Sequence, residues 1–375
     1  MDFEFSDEQR LLKDSVERLI ADRYGFESRK QYLASATGWS PDVWAQYAEL
    51  GLLGLPFAEE YGGFGGGPVE TMIVMEAFGR GLVLEPYFAT VILGGGVLRH
   101  AASAAQRAAL LPLVGAGTLK LALAHVERHS RYDLAHVTTT ARRDGDGWII
   151  NGAKSVVLHG DCADKILVSA RISGGVRDRD GIGIFLVDAA DTTRQGYPTQ
   201  DGLRAAEIAF VNARAEAVGD PAAGLAVLER VTDEAMAALA AESVGLMTEM
   251  HELTVEYLKT RQQFGRPIGQ FQVLQHRSVD MFVALEQARS ITLYATMMAS
   301  DDDARERARA MAVTKVQVGK SGRHIGQECV QLHGGIGMTA EYKAGHYFKR
   351  MTMIDKMYGD ADFHLGALAR MGGIF

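Results

Sequence analysis

The spacing of apolar residues changes twice along the chain and divides it into helical, strand-like and again helical parts. Apolar residues recur at helical spacing over residues 11–20, and Ser6 and Gln9 form a capping box just before them. Ser40-Pro41-Asp42 predicts the start of another helix, because serine caps helices and proline is tolerated at the first helical position. A further apolar segment spans residues 69–78. The first third of the chain is therefore predicted to be helical.

The middle of the chain has the pattern of short strands separated by turns. Asp144-Gly145-Asp146-Gly147 and Asn151-Gly152 are turn sequences, and the second is a strong hairpin signal. Because no helical segment lies between the strands, we expect a small antiparallel barrel or sandwich. The seven predicted strands are residues 119–124, 137–142, 148–150, 154–158, 165–171, 182–187 and 207–211.

Helical spacing returns after Gly219-Asp220-Pro221 and continues to the end of the sequence. Four long segments predict an antiparallel four-helix bundle: residues 225–261, 271–300, 303–332 and 360–371. The predicted fold class is thus α+β and mostly α. The predicted domains are an N-terminal helical domain at 1–118, a middle β domain at 119–222 and a C-terminal helical bundle at 223–375.

Composition and charge narrow the classes of function. The 375 residues carry a formal net charge of −8, which leaves no basic stripe for nucleic acid. Cys162 and Cys329 lie far apart, so the sequence predicts neither a disulfide framework nor a zinc site. The acidic start at residues 1–10 is unlike a targeting peptide, and no apolar run reaches the ~18 residues of a membrane span. We therefore expect a soluble, cytoplasmic protein with no metal and with no nucleic-acid or membrane partner.

Four segments resemble one enzyme family. Residues 50–63 resemble its N-terminal signature, 148–154 its β-domain hairpin, 261–275 its flavin-binding loop and 331–337 its second dinucleotide loop. They occur in the order and in the domains that the acyl-CoA dehydrogenases have, and the resemblance covers essentially the whole chain. The sequence is identified as a member of that family, which implies an FAD-dependent oxidoreductase acting on an acyl-CoA substrate.

Within the family, residues 158–163 and 197–202 resemble the small subunits of pimeloyl-CoA dehydrogenases. That group belongs to the breakdown of dicarboxylic acids, so the resemblance suggests a dicarboxylyl-CoA, such as pimeloyl-CoA, as substrate. In the family the second dinucleotide loop reaches the FAD of a neighbouring subunit. The resemblance therefore implies a homodimer or homotetramer, or a heteromer with a larger homologous subunit.

The resemblance also implies an FAD site built mainly from two loops. Arg261 offers a permanently charged, planar fork for pyrophosphate oxygens, and paired glycines let the backbone approach a phosphate closely. We expect Gly265 to end the preceding helix and Pro267 to block its continuation. A plain helix end with a cationic last turn is the structural alternative. The FAD-binding residues that the resemblance implies are Arg261, Gln263, Phe264, Ile268, Phe271, Gln272, Gln331, Leu332, Gly334, Gly335, Leu158 and Tyr358.

Two segments depart from the family pattern where it meets the flavin ring. The first β-domain loop keeps Glu127 and Asp133, whereas Val126 and Tyr132 replace residues that carry hydroxyls in the family. Leu158 stands where the family has threonine, so only its backbone N–H is left to reach flavin N5. The surroundings of the flavin ring are therefore expected to differ from those of a typical member.

The catalytic base departs from the family pattern as well. The family's glutamate, in Tyr-Glu-Gly-Thr, aligns with Gly359 without a gap, and a one-residue gap aligns Asp360 with the threonine. The position that some other members use aligns with Ala235. A base beside the flavin needs a carboxylate with a raised pKa. Asp360 is the candidate base, with capping of the last helix as its alternative, and Glu242 is a lesser candidate that is either paired or functional.

Three functions remain open on the sequence. The first is an active dehydrogenase that forms a 2,3-enoyl-CoA and passes electrons to an electron-transferring flavoprotein. The second is a non-catalytic or half-catalytic small subunit that completes the sites of a heteromer with a larger homologue, and the altered flavin segments and the lost glutamate favour it. The third is a flavoenzyme resembling nitroalkane oxidases, whose base is an aspartate.

Overall fold

Eleven α-helices contain about half of the residues in the computed structural model, which describes residues 5–372. They are α1 Asp7–Arg23, α2 Phe26–Ala34, α3 Pro41–Glu49, α4 Pro68–Gly81, α5 Gly95–Ala101, α6 Ala104–Gly115, α7 Gly224–Thr260, α8 Gln272–Met298, α9 Ala304–His333, α10 Ala344–Lys356 and α11 Ala361–Arg370. A π-helical stretch, Phe88–Gly94, leads directly into α5. None of the helices within the described range is long and apolar enough to cross a membrane.

Both predicted helix starts in the N-terminal third are confirmed by their caps. Ser6 Oγ accepts from the backbone N–H of Gln9 at 3.2 Å, and Gln9 Oε1 accepts in return from the Ser6 N–H at 3.0 Å. Ser40 Oγ accepts from the Val43 N–H at the start of α3. These side chains satisfy backbone donors that have no partner within the helix.

Seven strands form one sheet in the middle of the chain. They are β1 Leu121–Ala124, β2 Thr140–Asp144, β3 Gly147–Leu158, β4 Lys165–Arg171, β5 Ile182–Asp188, β6 Thr193–Pro198 and β7 Arg204–Ala217. Five of them close into a barrel, because pairing runs from β4 through β2, β3, β7 and β5 and returns to β4. Most neighbours are antiparallel as predicted, whereas β4 runs parallel to β1 and β2. The helical–β–helical order confirms the predicted fold class.

The Asn151-Gly152 pair does not form the predicted hairpin turn. β3 runs through both residues, so the predicted strands 148–150 and 154–158 are one strand, and its pairing with β7 shifts register at this point. A Cβ on Gly152 would lie 2.6 Å from Thr139 Oγ1, so the glycine permits close approach of the neighbouring segment at a β-bulge. The other predicted turn is confirmed, since Asp144 pairs with Gly147 where β2 meets β3.

The C-terminal helices pack around α9. Helices α8, α10 and α11 all lie against it, and residues of α7, α8 and α9 share a buried apolar cluster of Met236, Ala237, Ala295, Ala299 and Met311. The four predicted helices are confirmed, with ends within two residues of those observed. Helix α10 was not predicted, because its sequence is mostly polar. The bundle therefore has a fifth helix.

The described residues fall into two compact units. One comprises residues 5–30, 68–83 and 236–372, and the other comprises 31–67 and 84–235. In the first unit, α1 packs on α4, and α10 and α11 pack on α9. The second unit contains the barrel, with an interior that is almost entirely apolar.

Helices α4 and α7 of the first unit cross at two glycines. A Cβ on Gly79 would lie 2.0 Å from the carbonyl oxygen of Glu242, and a Cβ on Gly245 would lie 2.0 Å from that of Glu76. Since no real side chain fits at such a distance, the two backbones touch directly. Glycine is required at both positions for this crossing.

Candidate functional site

The predicted flavin-binding loop is a tight hairpin that follows α7. Helix α7 ends at Thr260 and not at Gly265, because the chain turns into two short strands, β8 Gln262–Gln263 and β9 Arg266–Pro267. Phe264 and Gly265 form the connection, with φ angles of 54° and 76°. Two consecutive positive φ angles are typical of the two-residue turns that match strand twist. Gly265 is therefore a turn residue and not the helix cap that the sequence predicted.

The hairpin is held by contacts within its own segment. The Ile268 N–H donates to the Arg261 carbonyl at 2.8 Å, and the Arg266 guanidinium lies 4.2 Å from the centre of the Phe271 ring. The Phe264 ring meets Phe271 edge-on, yet Phe264 remains 90% exposed. The loop is thus ordered by its own residues while its tip is open to a partner.

The second dinucleotide loop begins where α9 ends. Gly334 has φ of 63°, and a Cβ on Gly334 or Gly335 would meet no atom within 4 Å. Gln331 is exposed, so its amide is available to a ligand. Leu332 is only 6% exposed and packs inward, so a role for it in binding falls to its backbone.

A histidine fixes the ends of α7 and α9 beside each other. The His333 ring lies 4.5 Å from that of Tyr257, on the last turns of α7. His333 Nδ1–H donates to the Cys329 carbonyl at 2.7 Å, and Nε2 accepts from the Tyr342 hydroxyl at 3.1 Å. Burial lowers the pKa of His333, which keeps the ring neutral in these roles. The two loops therefore start from neighbouring helix ends in the first unit.

The polar side chains of the two loops fit the phosphate and adenosine parts of FAD. Arg261, Gln272 and Gln331 are exposed, and their side chains have no hydrogen-bond or ion-pair partner among residues 5–372. A guanidinium without a carboxylate partner is suited to a pyrophosphate, and free amides are suited to ribose and adenine edges. Gln263 also lies at the surface, and its amide donates to the Gln262 carbonyl.

The flavin-ring segments lie in the second unit, on loop 126–133 and on the end of β3. The Ser155 N–H donates to the Val126 carbonyl at 2.8 Å, which joins the two segments. Leu158 is half-buried at the end of β3, and Val156 just before it has φ of 52°. The side chains at 126 and 158 offer no hydroxyl to a flavin. Any polar contact with the ring at these two positions comes from the backbone.

A buried ion pair stands behind both flavin-ring segments. Lys154 Nζ lies 2.8 Å from Glu127 Oε1 and 3.0 Å from Ser169 Oγ, and the lysine is fully buried. Burial would raise the pKa of Glu127, but the charge and hydrogen bond of Lys154, with donors from Thr138 and Thr139, lower it to about 2. Burial lowers the pKa of Lys154 to about 8. Glu127 is one of the two residues that match the family's first β-domain loop, whereas no role was predicted for Lys154.

A buried lysine binds the chain just before the segment that aligns with the family's base. Lys315 of α9 donates through Nζ to three carbonyls at the end of α10: Ile354 at 2.8 Å, Asp355 at 3.3 Å and Met357 at 2.9 Å. Such a cation offsets the negative end of a helix. Burial lowers the pKa of Lys315 to about 8. A lysine in the apolar run of α9 was the available sequence signal.

Gly359 has no room for a side chain. Its φ is 108°, and a Cβ there would lie 2.4 Å from Phe363 Cδ1 and 2.7 Å from His364 Nε2. His364 donates through Nε2 to the Tyr358 carbonyl at 2.9 Å, so the ring cannot move without losing that bond. The position that carries glutamate in the gapless alignment is therefore filled by α11.

Asp360 is the N-cap of α11. Its Oδ1 accepts from the Phe363 N–H at 3.0 Å, and its Oδ2 pairs with Lys356 at 2.9 Å. The Lys356 hydrogen bond and the cap lower the pKa of Asp360. The capping alternative is thus what the structure contains, and a lowered pKa is opposite to what a buried base requires. Its role as a base stays a prediction.

Tyr358 points into the helical bundle. Its ring packs on the apolar cluster of α7, α8 and α9, and burial raises the pKa of its phenol. Its φ of 57° turns the chain from α10 into Gly359. The residue therefore fixes the segment, and its predicted contact with FAD stays a prediction.

The other candidate carboxylates are paired. Glu242 of α7 is bound by Arg350 through two hydrogen bonds of 2.5 and 2.7 Å, so it is paired, as one of the two alternatives expected. Glu234, beside the alternative base position Ala235, accepts from Arg99 at 2.7 Å and from His100 at 2.8 Å. Burial would raise the pKa of Glu234, but these partners lower it to about 2.

One group of metal-ligand residues lies just after Leu158. The ligand atoms of His159, Asp161 and Cys162 lie within 4.8 Å of one another. Arg204 pairs with Asp161 at 2.6 Å, and Arg194 donates to three carbonyls of the same turn. Two guanidinium groups already contact this turn, and their charge opposes the binding of a metal cation there. The cluster is better explained as the anchoring of the turn.

Comparison with known proteins gives the family. Models of the N-terminal, middle and C-terminal domains of acyl-CoA dehydrogenases match residues 6–118, 122–215 and 222–372. The acyl-CoA dehydrogenase FadE12 of Mycobacterium tuberculosis is 30% identical over 90% of this chain and 88% of its own. The chain therefore belongs to the acyl-CoA dehydrogenase family, whose members are FAD-dependent oxidoreductases acting on acyl-CoA.

Solved structures agree with this assignment. The steroid acyl-CoA dehydrogenase Tcur3481-Tcur3483 superimposes with a TM-score of 0.88 at 29% identity, over 97% of each chain. PigA with FAD and proline superimposes with a TM-score of 0.89 at 25% identity, over 99% of each chain. The family and its cofactor are thus shown by relatives that span nearly the whole chain.

Proposed function

We propose that the chain is the small subunit of a heteromeric, FAD-dependent acyl-CoA dehydrogenase and that a larger homologous chain supplies the carboxylate base. When bound, FAD accepts the hydride that leaves the acyl β-carbon. This chain contributes loops that hold the phosphates and adenosine, and a barrel segment that lies against the ring.

The closed space at Gly359 carries the proposal. A base must lie within hydrogen-bond reach of the proton it removes. The position that aligns with the family's glutamate admits no side chain, and the neighbouring carboxylate of Asp360 is engaged by Phe363 and Lys356. Within residues 5–372, neither of the two aligned positions therefore offers a free carboxylate for proton abstraction.

The exposed loops support the same proposal. The Phe264 tip, the Arg261 side chain and the open glycines at 334 and 335 have no partner within the described chain to cover them. A homologous subunit with FAD between the two chains would cover all of these groups. The name Tcur3481-Tcur3483 pairs two proteins in one solved relative, which is the arrangement proposed here.

The acyl group that we propose is a dicarboxylyl chain, with pimeloyl-CoA as its first representative. This choice rests on the resemblance of residues 158–163 and 197–202 to small subunits of pimeloyl-CoA dehydrogenases. Electrons would pass from the reduced flavin to an electron-transferring flavoprotein, as in the family.

The test compares the flavin content of the chain purified alone with that of the chain co-expressed with a larger homologue. Absorbance is recorded at about 370 and about 450 nm, where oxidised flavin absorbs, for the chain purified alone and after co-expression with a homologue that carries Tyr-Glu-Gly-Thr. We expect little flavin on the chain alone, and a yellow complex that pimeloyl-CoA bleaches. A chain that is yellow alone and is bleached by acyl-CoA would overturn the proposal and make it an autonomous dehydrogenase.

Two matched variants locate the contribution of this chain. Arg261→Gln removes the free guanidinium of the hairpin, whereas Arg370→Gln removes an exposed arginine at the end of α11. We expect the first to lower the flavin content of the complex at least about tenfold and the second to leave it unchanged. Equal flavin content in both variants would remove the hairpin from the site.

A further inference from the structure

We infer that Glu127 and Lys154 are positioning residues for the flavin ring: their buried ion pair holds loop 126–133 and the end of β3 against each other. This inference rests on the proposed function, because its ligand is the FAD of an assembly that contains this chain. Neither residue needs to touch the flavin for this role.

The pair is more than stability requires. Lys154 is fully buried, with Glu127 beside it at 2.8 Å, next to the apolar cluster of the barrel and the buried hydroxyls of Thr139 and Ser169. Removing two charges from water costs several kcal/mol, and their attraction often does no more than offset it. Apolar residues of similar volume would fill the same space without charges to desolvate, but they would offer no acceptor to the donors around Glu127. A charged pair at this place therefore indicates a requirement for defined geometry.

Glu127 supplies that geometry by closing its own loop. Its Oε1 accepts from the Thr139 N–H at 3.0 Å and from the Thr139 hydroxyl at 2.8 Å, while its Oε2 accepts from the Thr138 N–H at 2.8 Å. The Thr138 hydroxyl donates to the same oxygen. A carboxylate binds several donors at once, and no apolar side chain can do so. The carboxylate thereby joins the start of loop 126–133 to residues 138 and 139, which follow the loop.

Lys154 extends the connection to β3. Its Nζ reaches Glu127, and the next residue, Ser155, donates its N–H to the Val126 carbonyl at 2.8 Å. Two consecutive residues of the loop are thus bound by two consecutive residues of the strand. Val126, one of the two positions that meet the ring in the family, is itself bound by Ser155, and Leu158, the other, lies three residues further along β3.

The lost hydroxyls make the anchoring more important in this chain. With valine at 126 and leucine at 158, polar contacts to the ring at these positions depend on backbone groups. A backbone group cannot adjust by rotating a side chain. A displacement of about 1 Å in the loop is therefore expected to cost binding directly.

The experiment separates positioning from stability. The double variant Glu127→Leu/Lys154→Met replaces the pair by apolar groups, and Glu242→Leu/Arg350→Met does the same to the buried pair of the first unit. Melting temperature and amide hydrogen exchange are measured without flavin, and FAD affinity and absorbance spectrum are measured in the assembled enzyme. The single variant Glu127→Gln reports the effect of leaving Lys154 unpaired.

We expect the Glu242/Arg350 double variant to melt close to the parent protein, because replacing both partners avoids an unpaired buried charge. The Glu127/Lys154 double variant should stay folded but melt at a lower temperature, because the Thr138 and Thr139 donors lose their acceptor. The Glu127/Lys154 double variant should still exchange amides over residues 126–139 at least about tenfold faster, because the Thr138 and Thr139 N–H groups lose their acceptor. Its assembly should bind FAD at least about tenfold more weakly, with a shifted flavin band. The Glu242/Arg350 variant should change neither quantity.

Unchanged exchange over 126–139 together with unchanged FAD affinity in the Glu127/Lys154 variant would overturn the inference and leave the pair a packing feature. If that double variant does not fold, Glu127→Gln replaces it in the test. Its amide exchange is then measured at temperatures where the single variant stays folded. A parent assembly that binds no FAD would contradict the proposed function instead, and the exchange measurement would then still decide whether the pair holds the loop.

Discussion

Two turns of the first unit have a similar backbone conformation but differ in their surroundings. Phe264 and Gly265 at the hairpin tip have φ angles of 54° and 76°, and Tyr358 and Gly359 before α11 have φ angles of 57° and 108°. A Cβ on Gly265 would meet nothing within 4 Å, whereas a Cβ on Gly359 would collide with Phe363 and His364. The aromatic residue of the first turn lies in solvent, and that of the second packs into the bundle.

The difference shows which part of an acyl-CoA dehydrogenase this chain has kept. The open turn keeps residues of the family's flavin-binding motif, and its Phe264 ring is 90% exposed. The closed turn has lost the family's catalytic glutamate, and α11 and Lys315 have taken over the space and the polar groups. Under the proposed function, the contacts to the cofactor stay in this chain and the catalytic carboxylate lies in a larger homologous chain.

The largest effect is expected from restoring the family's residue in the closed turn. Gly359→Glu places a side chain at a positive φ against two buried rings, so we expect a loss of at least about 4 kcal/mol in the free energy of unfolding. Urea denaturation measures it. Gly265→Ala is the matched control, since its cost of about 1 kcal/mol is backbone strain alone. Equal losses would mean that the two turns are equally open and would end the comparison.

The second effect concerns the polar groups of the closed turn. Lys315→Met leaves three carbonyls at the end of α10 without their donor, and we expect a loss of about 2 to 4 kcal/mol. Lys320→Met, on the exposed side of the same helix, should stay within about 0.5 kcal/mol of the parent. A small loss at position 315 would show that water replaces the lysine.

A pH dependence follows from His364. Burial lowers its pKa from 6.5 to about 4, so the folded chain keeps the ring neutral while the unfolded chain takes up a proton. The unfolded state binds more protons between these values, and stability should therefore fall as pH decreases from 6.5 to about 4. The contribution is about 3 kcal/mol at most. Denaturation of His364→Gln across this window should show a flatter slope, and exposed His276→Gln should keep the slope of the parent.

Sequence periodicity predicted most of the fold because the long helices and the barrel strands each bury a regular apolar face. It failed where tertiary contacts decide the structure. Asn151-Gly152 favours a turn locally, but pairing with β7 keeps the strand continuous. Motif matching identified the segments that form the hairpin and the second loop, because each motif is contiguous in sequence. Their contacts with FAD stay a prediction. Lys315 was missed because its partners lie at the end of another helix, and His364 was missed because its partner is a backbone carbonyl in the turn before α11.

A smaller effect tests Asp360 in its two possible roles. Asp360→Ala removes the cap of α11 and should cost about 1 kcal/mol, whereas Asp360→Asn retains a capping acceptor and should cost less. If the residue only caps, turnover of the assembled enzyme should be unchanged in Asp360→Asn. A loss of about a hundredfold or more would identify it as the base and break the contrast between the two turns.

The smallest effect on stability is expected at the open turn. Phe264→Ala removes a ring that is 90% exposed, so the free energy of unfolding should change by less than about 0.5 kcal/mol. The same variant should weaken the flavin-containing complex in size-exclusion chromatography. A stable complex with this variant would show that the exposed ring is not part of the interface.

The crossing of α4 and α7 bears on how the chain folds. Gly79 and Gly245 bring backbone against backbone, although one lies in the first third of the chain and the other near the start of the last third. A contact between such distant segments gains nothing until the long intervening chain has been closed, and such closure slows folding. We therefore expect the crossing to form late in folding. Helix α7 is buried on nearly all sides over residues 231–250, so its packing should be completed only when α4 docks.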